Sequence, residues 1–212
     1  MDKGCISKKT FIEDNSRCAV IVAHPDDETL WAGGLILLHP KVRWTIISLC
    51  RKNDSDRAPK FFNAVKEFNA AGFMADIDDG PEQRPLNQDQ IKQTINELLP
   101  SGNFDIIITH SKSGEYTRHL RHEETALAVL DLWNNGKIKA EQLWSFAYED
   151  DNRRYLPRAI ETSDLLIDLK KHIWQKKYDI ITKIYGFNED SFEAKTTPRC
   201  EAFCCFKSKV TS

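Results

Sequence analysis

The stretch 20–28, VIVAHPDDE, constrains the fold of this chain most, because an apolar run leads directly into polar residues. A short apolar run of this kind is typical of a parallel strand that is buried on both faces. Asp26 and Asp27 are adjacent carboxylates, which repel each other unless a cation neutralises them. Pro25 favours an extended backbone at His24 and so keeps the imidazole at the end of the strand. The pattern predicts half of a metal site just beyond a buried strand.

A second polar segment follows another apolar strand later in the chain. The segment 114–124, GEYTRHLRHEE, comes after a strand predicted at 104–110. His119 and His122 are three residues apart, so on a helical turn they lie on one face. Catalytic zinc usually has three protein ligands and a fourth position for water, so this segment is the best source of a distant ligand.

The residues alone leave the ligand set open. His24 and Asp27 fit a metal pair, but a loop stabilised by hydrogen bonds would use the same residue types. His122 by itself is as consistent with a structural histidine as with a ligand. His110, at the end of the second apolar strand, fits a structural hydrogen bond better than a place in the site.

The two motifs, their order and their separation resemble those of the LmbE-like de-N-acetylases, which are related to N-acetylglucosaminyl-phosphatidylinositol de-N-acetylase. The resemblance runs from the first strand to at least Tyr148. It implies a Rossmann-like architecture. It also implies that His24, Asp27 and His122 bind zinc.

The resemblance implies catalytic roles for two further residues. Asp26 would be the general base, and His119 would be protonated, stabilise the tetrahedral oxyanion and help the amine leave. Zinc in such a site lowers the pKa of a bound water toward ~7 and polarises an amide carbonyl. The products would be an amine and acetate.

The second motif departs from the pattern of many relatives. Those proteins have His-Pro-Asp-His, in which the aspartate supports the charge of the first histidine. Here Leu120 and Arg121 stand between the two histidines. Arg121 would lower the pKa of His119 if it pointed inward.

Three residues are candidates for contacts with the substrate, again by resemblance. Tyr116 matches a tyrosine that the family often has just before the first histidine of the second motif. Relatives also have a substrate-contacting arginine early in the helix after the second strand. Arg57 or Lys60 is predicted to take that part, although a charge on the helix surface is an equal alternative for either.

Length and composition predict a single domain over residues 1–212. A chain of 212 residues that is 41% hydrophobic and 29% charged can bury one full core. The formal net charge of −2 gives no electrostatic reason to expect nucleic acid as a partner. No apolar run reaches the ~18 residues of a membrane span, and Met1 to Cys5 lack the apolar core of a signal peptide. A cytoplasmic enzyme is therefore expected.

The six cysteines form no C-x-x-C pair. In a reducing compartment this spacing favours reduced, mostly buried thiols. A metal site at Cys200, Cys204 and Cys205 is the less favoured alternative.

Strand and helix signals alternate along the chain and predict an α/β fold. The predicted class is a three-layer, Rossmann-like, mostly parallel sheet with helices on both faces and right-handed crossovers. Ligands bind such sheets beyond the carboxyl ends of the strands, which brings both histidine motifs to one crevice. Gly33 and Gly34 would let the first helix lie close to the sheet or to a ligand. The predicted strands are 17–23, 42–50, 73–77, 104–110 and 143–148.

The last part of the chain is predicted to be a C-terminal helical extension from about residue 163. Apolar residues at near-helical spacing favour a long helix from about Ser163 to Tyr185. Its two lysine pairs, 170–171 and 176–177, are assigned to a solvated face.

The sequence therefore predicts a zinc-dependent hydrolase that removes an N-acetyl group from an amino sugar or its conjugate. Ferrous iron would fit the same ligands in cells. A metal hydrolase of another small N-acyl amide is one alternative, and a non-catalytic metal-binding module is another. The expected partner is a small N-acetylated sugar or conjugate, without nucleic acid or a membrane span; whether the chain forms a homo-oligomer is left open.

Overall fold

A seven-stranded sheet forms the centre of the computed structural model, which describes residues 12–208. The expectations for Met1 to Cys5 concern positions outside this range. The sheet strands are β1 Arg17–Val22, β2 Arg43–Ser48, β3 Ala71–Met74, β4 Phe104–Thr109, β5 Ala140–Phe146, β8 Leu165–Asp168 and β9 Cys200–Lys207, and a separate two-stranded sheet is formed by β6 Tyr148–Glu149 and β7 Arg158–Ala159.

The strand order is β3-β2-β1-β4-β5-β9-β8. The first five strands in this order, β3, β2, β1, β4 and β5, run parallel to one another, whereas β9 is antiparallel to both β5 and β8. This arrangement confirms the mostly parallel α/β class.

Helices cover both faces of the sheet. Two hydrophobic clusters lie on opposite faces, one beneath the first, second and fifth helices and one beneath the third and fourth. A π-helical turn, Ile180–Ile184, continues the fifth helix. The helices are α1 Asp27–Leu38, α2 Arg57–Glu67, α3 Gln88–Leu98, α4 Leu120–Asn134, α5 Lys171–Asp179 and α6 Phe192–Thr196.

The buried strands β1 and β4 place the two motifs side by side. Val20 and Val22 pack in the cluster beneath α1, while Ile21 packs in the cluster beneath α4. Val20 is paired with Ile108, and Ile21 with Thr109. Because the two strands are parallel and in this register, the loops that follow them leave the sheet at the same edge.

The predicted C-terminal helical extension is wrong at its start, where the structure has a strand, and it leaves out the strand β9 near the end of the described chain. Residues Leu165–Asp168 form the edge strand β8, and α5 begins only at Lys171. Leu165 and Ile167, at alternate positions of β8, are buried, and β8 pairs with β9. Because β9 lies more than 30 residues later in the sequence, local periodicity does not reveal this pairing. The described C-terminal residues therefore contribute two strands to the central sheet.

Gly34 allows α1 to approach the sheet closely, as the glycine pair predicts. A Cβ at Gly34 would lie 2.4 Å from Leu169 Cδ1. The backbone N–H of Gly34 donates to Glu201 at 2.7 Å, and Lys177 donates to the same carboxylate at 2.7 Å. Lys177 is fully buried, so its assignment to a solvated face is wrong; its partner lies on β9 and is not apparent from the lysine pair.

No helix within residues 12–208 combines the length and apolarity that a membrane span needs. Cys18 and Cys50 are buried in the core, whereas Cys200, Cys204 and Cys205 are partly exposed. Burial raises the pKa of the Cys18 thiol to about 12, so this thiol stays protonated at neutral pH.

Candidate active site

Candidate ligands from both motifs meet at the carboxyl edge of the sheet. His24 follows β1, Asp27 begins α1, and His122 lies in the first turn of α4. His24 Nδ1 is 3.2 Å from Asp27 Oδ2 and 3.2 Å from His122 Nε2. His122 Nε2 is 3.3 Å from Asp27 Oδ2. These three atoms form a nearly equilateral triangle.

The triangle has the size that tetrahedral zinc coordination needs. Zinc ligands lie about 2.0–2.2 Å from the metal, which places neighbouring ligand atoms about 3.3–3.6 Å apart. Two imidazole nitrogens and one carboxylate oxygen leave a fourth position for water or substrate. The residues present therefore fit a zinc ion, and the same nitrogen and oxygen set suits ferrous iron.

Histidines around this triangle form two overlapping groups that could hold a metal ion. The groups are His24 with His119 and His122, and Asp27 with His110 and His122. His110 Nε2 accepts from the Ala23 N–H at 2.9 Å, and its Nδ1 lies 2.8 Å from Glu115 Oε2. Because a neutral imidazole has one donor and one acceptor, these two bonds use both nitrogens. His110 is thus structural.

Each histidine of the triangle directs its other ring nitrogen at a carboxylate. His24 Nε2 lies 3.1 Å from Asp79 Oδ1, and His122 Nδ1 lies 2.7 Å from Glu115 Oε2. Such partners fix the tautomer and orientation of metal-binding histidines. Sequence reasoning assigned no role to either carboxylate. The available signals were the position of Glu115 in the second motif and of Asp79 in the polar segment after β3.

The charge distribution favours a cation at the triangle. Burial opposes protonation of His122, but Asp27 and Glu115 raise its pKa to about 10. Burial also opposes protonation of His24, whose pKa is nevertheless raised by Asp27 and Asp79. Despite its burial, Asp27 has a pKa held well below the usual range by His122. A divalent cation could replace the protons that this site attracts.

Asp26 has surroundings unlike those of its neighbour Asp27. Its backbone has a φ of 106°, and its N–H donates to Glu28 Oε2 at 3.0 Å. Its Oδ2 accepts from Arg57 at 3.1 Å. Burial and then the charge of Asp27 raise the pKa of Asp26 well above its ordinary value, although Arg57 opposes the shift. With its pKa raised, this partly buried carboxylate can accept a proton more readily than an ordinary aspartate.

Arg121 is buried but points away from His119. Its Nε donates to the Asp78 carbonyl at 2.6 Å, its Nη2 donates to the Arg84 carbonyl at 2.8 Å, and its Nη1 pairs with Glu124. These bonds fasten the segment after β3 to α4. Arg121 therefore supports the position of the loop that carries Asp79.

His119 lies against the triangle without a carboxylate partner. Its ring stacks on His122 at 4.4 Å between centroids and lies 4.5 Å from His24. Among the described residues, nothing hydrogen-bonds to its buried Nδ1. Burial, followed by the charges of His122 and His24, lowers the pKa of His119 to about 3. A metal ion at the triangle would replace the protons of His24 and His122 with its own positive charge, which also favours a neutral His119.

The three expected substrate contacts lie in different places. Tyr116 packs edge-on against His119, with 5.9 Å between centroids. Arg57 contacts Asp26 and lies over the Phe187 ring at 4.6 Å. Lys60 forms an ion pair with Asp56 at 2.7 Å on α2. The structure thus brings Tyr116 and Arg57 to the candidate site.

A cavity of about 490 Å³ opens on the outer side of Tyr116. Its volume lies in the range of small-molecule pockets, and apolar side chains dominate its wall. Phe192 and Leu156 are among the exposed large hydrophobic residues of the described chain. The lining consists of Tyr116, Thr117, Arg118, Asp150, Arg153, Tyr155, Leu156, Pro157 and Phe192.

Solved structures with a similar fold include deacetylases. A deacetylase in the biosynthesis pathway of teicoplanin, solved as a deacetylase-bog complex, superposes with a TM-score of 0.60 at 13% identity, covering 92% of this chain and 100% of that chain. A conserved protein from Thermus thermophilus gives a TM-score of 0.57 at 15% identity, with 89% and 94% covered. At these identities the likeness is one of fold.

Sequence comparisons identify the family. Uncharacterized protein L374 of Acanthamoeba polyphaga mimivirus is 24% identical over 186 residues, which cover 80% of this chain and 76% of that protein. The family model described as PIG-L, GlcNAc-PI de-N-acetylase, matches residues 19–133, more than half of the chain and both motifs. This chain belongs to the GlcNAc-PI de-N-acetylase (PIG-L) family.

Proposed function

We propose that this protein is a zinc-dependent hydrolase that removes an N-acetyl group from an amino sugar or its conjugate. Membership of the family supports an N-deacetylase type of hydrolase. The triangle of His24, Asp27 and His122, with edges of 3.2–3.3 Å, is the observation that carries the metal-dependent part of this proposal.

His24, Asp27 and His122 would hold the metal. Zinc at that point would supply Lewis acidity, which polarises an amide carbonyl and makes water more acidic. Asp79 and Glu115 hold the two imidazoles in the orientation that the triangle requires.

Asp26 is the proposed general base. Its raised pKa, caused first by burial and then by Asp27, matches the task of taking a proton from an attacking water. The Arg57 guanidinium fixes the carboxylate through Oδ2. Once protonated, Asp26 can return that proton to the leaving amine.

His119 is the proposed hydrogen-bond donor to the oxyanion. Its Nδ1 is buried and has no partner among the described residues, so the ring can serve a substrate without first breaking another bond. The resemblance implies a protonated histidine, but the low pKa favours a neutral one. A neutral imidazole still has one N–H to donate to a developing negative charge.

The cavity beside Tyr116 supports a conjugated substrate. Tyr116 packs against His119 and also lines the cavity. A sugar bound at the triangle could therefore place the group attached to it along the apolar wall of this cavity. One neighbour with this fold was solved in a deacetylase-teicoplanin complex. For the present chain we propose an N-acetylated sugar attached to a larger group.

The proposal is tested by incubating the zinc-loaded protein with a panel of N-acetylamino sugars, their glycosides and the corresponding amides with longer N-acyl groups. Release of equal amounts of acetate and primary amine is expected, with the loss of both in an Asp26→Asn control that still binds zinc. Turnover restricted to longer N-acyl groups would favour another amide hydrolase. Zinc binding without turnover of any member would favour the non-catalytic module. A parallel series with ferrous iron identifies the more active metal.

A further inference from the structure

Trp31 connects the candidate ligand Asp27 to the core of the protein. It lies four residues after Asp27 on α1 and is fully buried. Its indole Nε1 donates to Asp27 Oδ1 across 3.2 Å. Asp27 Oδ2, in contrast, faces His24 and His122. The two oxygens of the carboxylate therefore have different partners.

We infer that Trp31 is a positioning residue that keeps Asp27 bound to the metal through one oxygen only. This inference rests on the metal site proposed above. A carboxylate that used both oxygens would take an additional coordination position, which a catalytic site needs for water or substrate. An N–H donor to Oδ1 stabilises one-oxygen binding and fixes the carboxylate plane, as outer partners of metal ligands generally do.

Side chains from strands β6 and β9 hold Trp31 and its helix in place. The Tyr148 hydroxyl donates to the Trp31 carbonyl at 3.3 Å, and the two rings are 4.8 Å apart. The N–H of Leu35 makes a 2.7 Å bond to Glu201, which is also paired with the buried Lys177. The side chains of Tyr148, Glu201 and Lys177 thus fix the position of α1 beside the indole through contacts within the protein.

The hydrogen bond distinguishes Trp31 from the other four of the five tryptophans. Trp44, Trp133 and Trp174 donate to backbone carbonyls, and Trp144 donates to a side-chain amide. Only the indole of Trp31 donates to an ionisable carboxylate. The other four indoles are therefore internal controls within one molecule.

Nitrogen-15 spectra of the indole groups test the inference in the wild-type protein. Metal-free protein is titrated with zinc, and the Trp31 resonance is assigned from its contacts with the Tyr148 ring. One equivalent of zinc should shift the Trp31 resonance and slow its exchange with solvent, while the other four resonances change little. A Trp31 resonance that responds no more than that of Trp144 would overturn the inference.

A pair of matched variants provides a second test. Trp31→Phe removes the N–H donor and keeps an aromatic ring, while Trp44→Phe removes a donor to a backbone carbonyl in the same core. Zinc affinity, measured by competition with a chromophoric chelator, should fall ~10–100-fold in Trp31→Phe and stay like wild type in Trp44→Phe. Equal affinities in the two variants would contradict the inference.

Cobalt substitution reports the coordination number directly. The visible absorption of cobalt weakens as its coordination number rises, so Trp31→Phe, in which Asp27 is free to bind through both oxygens, should absorb more weakly than Trp44→Phe. Identical spectra would overturn the inference while leaving the proposed function intact. A wild-type protein that binds neither zinc nor cobalt would instead contradict the metal site itself.

Discussion

Glu115 Oε2 lies 2.7 Å from His122 Nδ1 and thereby orients the member of the ligand triangle that comes from the second motif. The same oxygen lies 2.8 Å from His110 Nδ1, and Glu115 Oε1 accepts from the Ser111 N–H at 3.0 Å. Despite its burial, the pKa of Glu115 is lowered to about 2, because His110 and His122 stabilise its negative charge. One ionised carboxylate thus links the end of β4 to α4.

Replacing that carboxylate by an amide should weaken metal binding. Glu115→Gln keeps the shape of the side chain but removes the charge that holds the tautomer of His122. We expect zinc affinity to fall ~10–100-fold, as is usual when the outer partner of a ligand is changed. Chelator competition measures the effect. Glu97→Gln, on the exposed side of α3, is the control; equal affinities in the two variants would show that Glu115 does not support a ligand.

Removing the His119 ring should affect turnover more than metal binding. In His119→Ala the three edges of the triangle remain, so zinc content should be that of the wild type. Loss of one oxyanion donor should lower kcat ~10²–10³-fold, with a smaller change in KM. Exposed His172 provides the control variant, His172→Ala. If His119→Ala lost its zinc, His119 would be a ligand, and the overlapping group with His24 would be the true site.

Asp150 should stabilise the second-motif loop in a pH-dependent manner. Its carboxylate accepts from the Thr117 N–H and hydroxyl, each at 2.7 Å. Burial would raise the pKa of Asp150, but the bonds from Thr117 outweigh it and lower the pKa. Asp150→Asn should reduce the free energy of unfolding by about 1.5–3 kcal/mol, the contribution of a charged hydrogen bond.

The sign of the pH effect follows from the lowered pKa. The folded protein holds Asp150 ionised more strongly than the unfolded chain does, so the added stability is complete above about pH 4 and is lost as pH falls through the folded pKa. Denaturant unfolding of the wild type and Asp150→Asn should therefore differ at about pH 7 and converge as the pH falls below about 4. Asp151→Asn, which alters an exposed pair with Arg154, should differ little from wild type at either pH. A constant difference for Asp150→Asn would contradict this assignment.

The position of the candidate ligands could be predicted because it depends on local pattern and on one rule of topology. The apolar run before His24 identifies a buried strand, and a second run precedes His122. The carboxyl ends of parallel strands lie at one edge of the sheet, and β1 and β4 are adjacent in it. The 3.2 Å between His24 Nδ1 and His122 Nε2 agrees with that expectation.

Features that depend on pairing between distant segments could not be predicted in this way. Asp79 stands in a loop with several other acidic residues, and only the neighbouring position of β3 and the anchoring by Arg121 bring it to His24. Lys177 has the pattern of a surface lysine, and its burial depends on Glu201 of β9. The strand at Leu165 has a spacing that also fits a helix until β9 pairs with it.

The central claim is that Asp27 binds the metal and Asp26 does not, and zinc stoichiometry in two matched variants tests it most directly. Asp26→Asn and Asp27→Asn are nearly isosteric changes at adjacent positions, so each is the control for the other. We predict about one zinc per chain in Asp26→Asn, with turnover reduced ~10²–10⁴-fold by loss of the base. Asp27→Asn should bind zinc weakly and lose activity in parallel. Loss of zinc from Asp26→Asn, with retention by Asp27→Asn, would contradict the account.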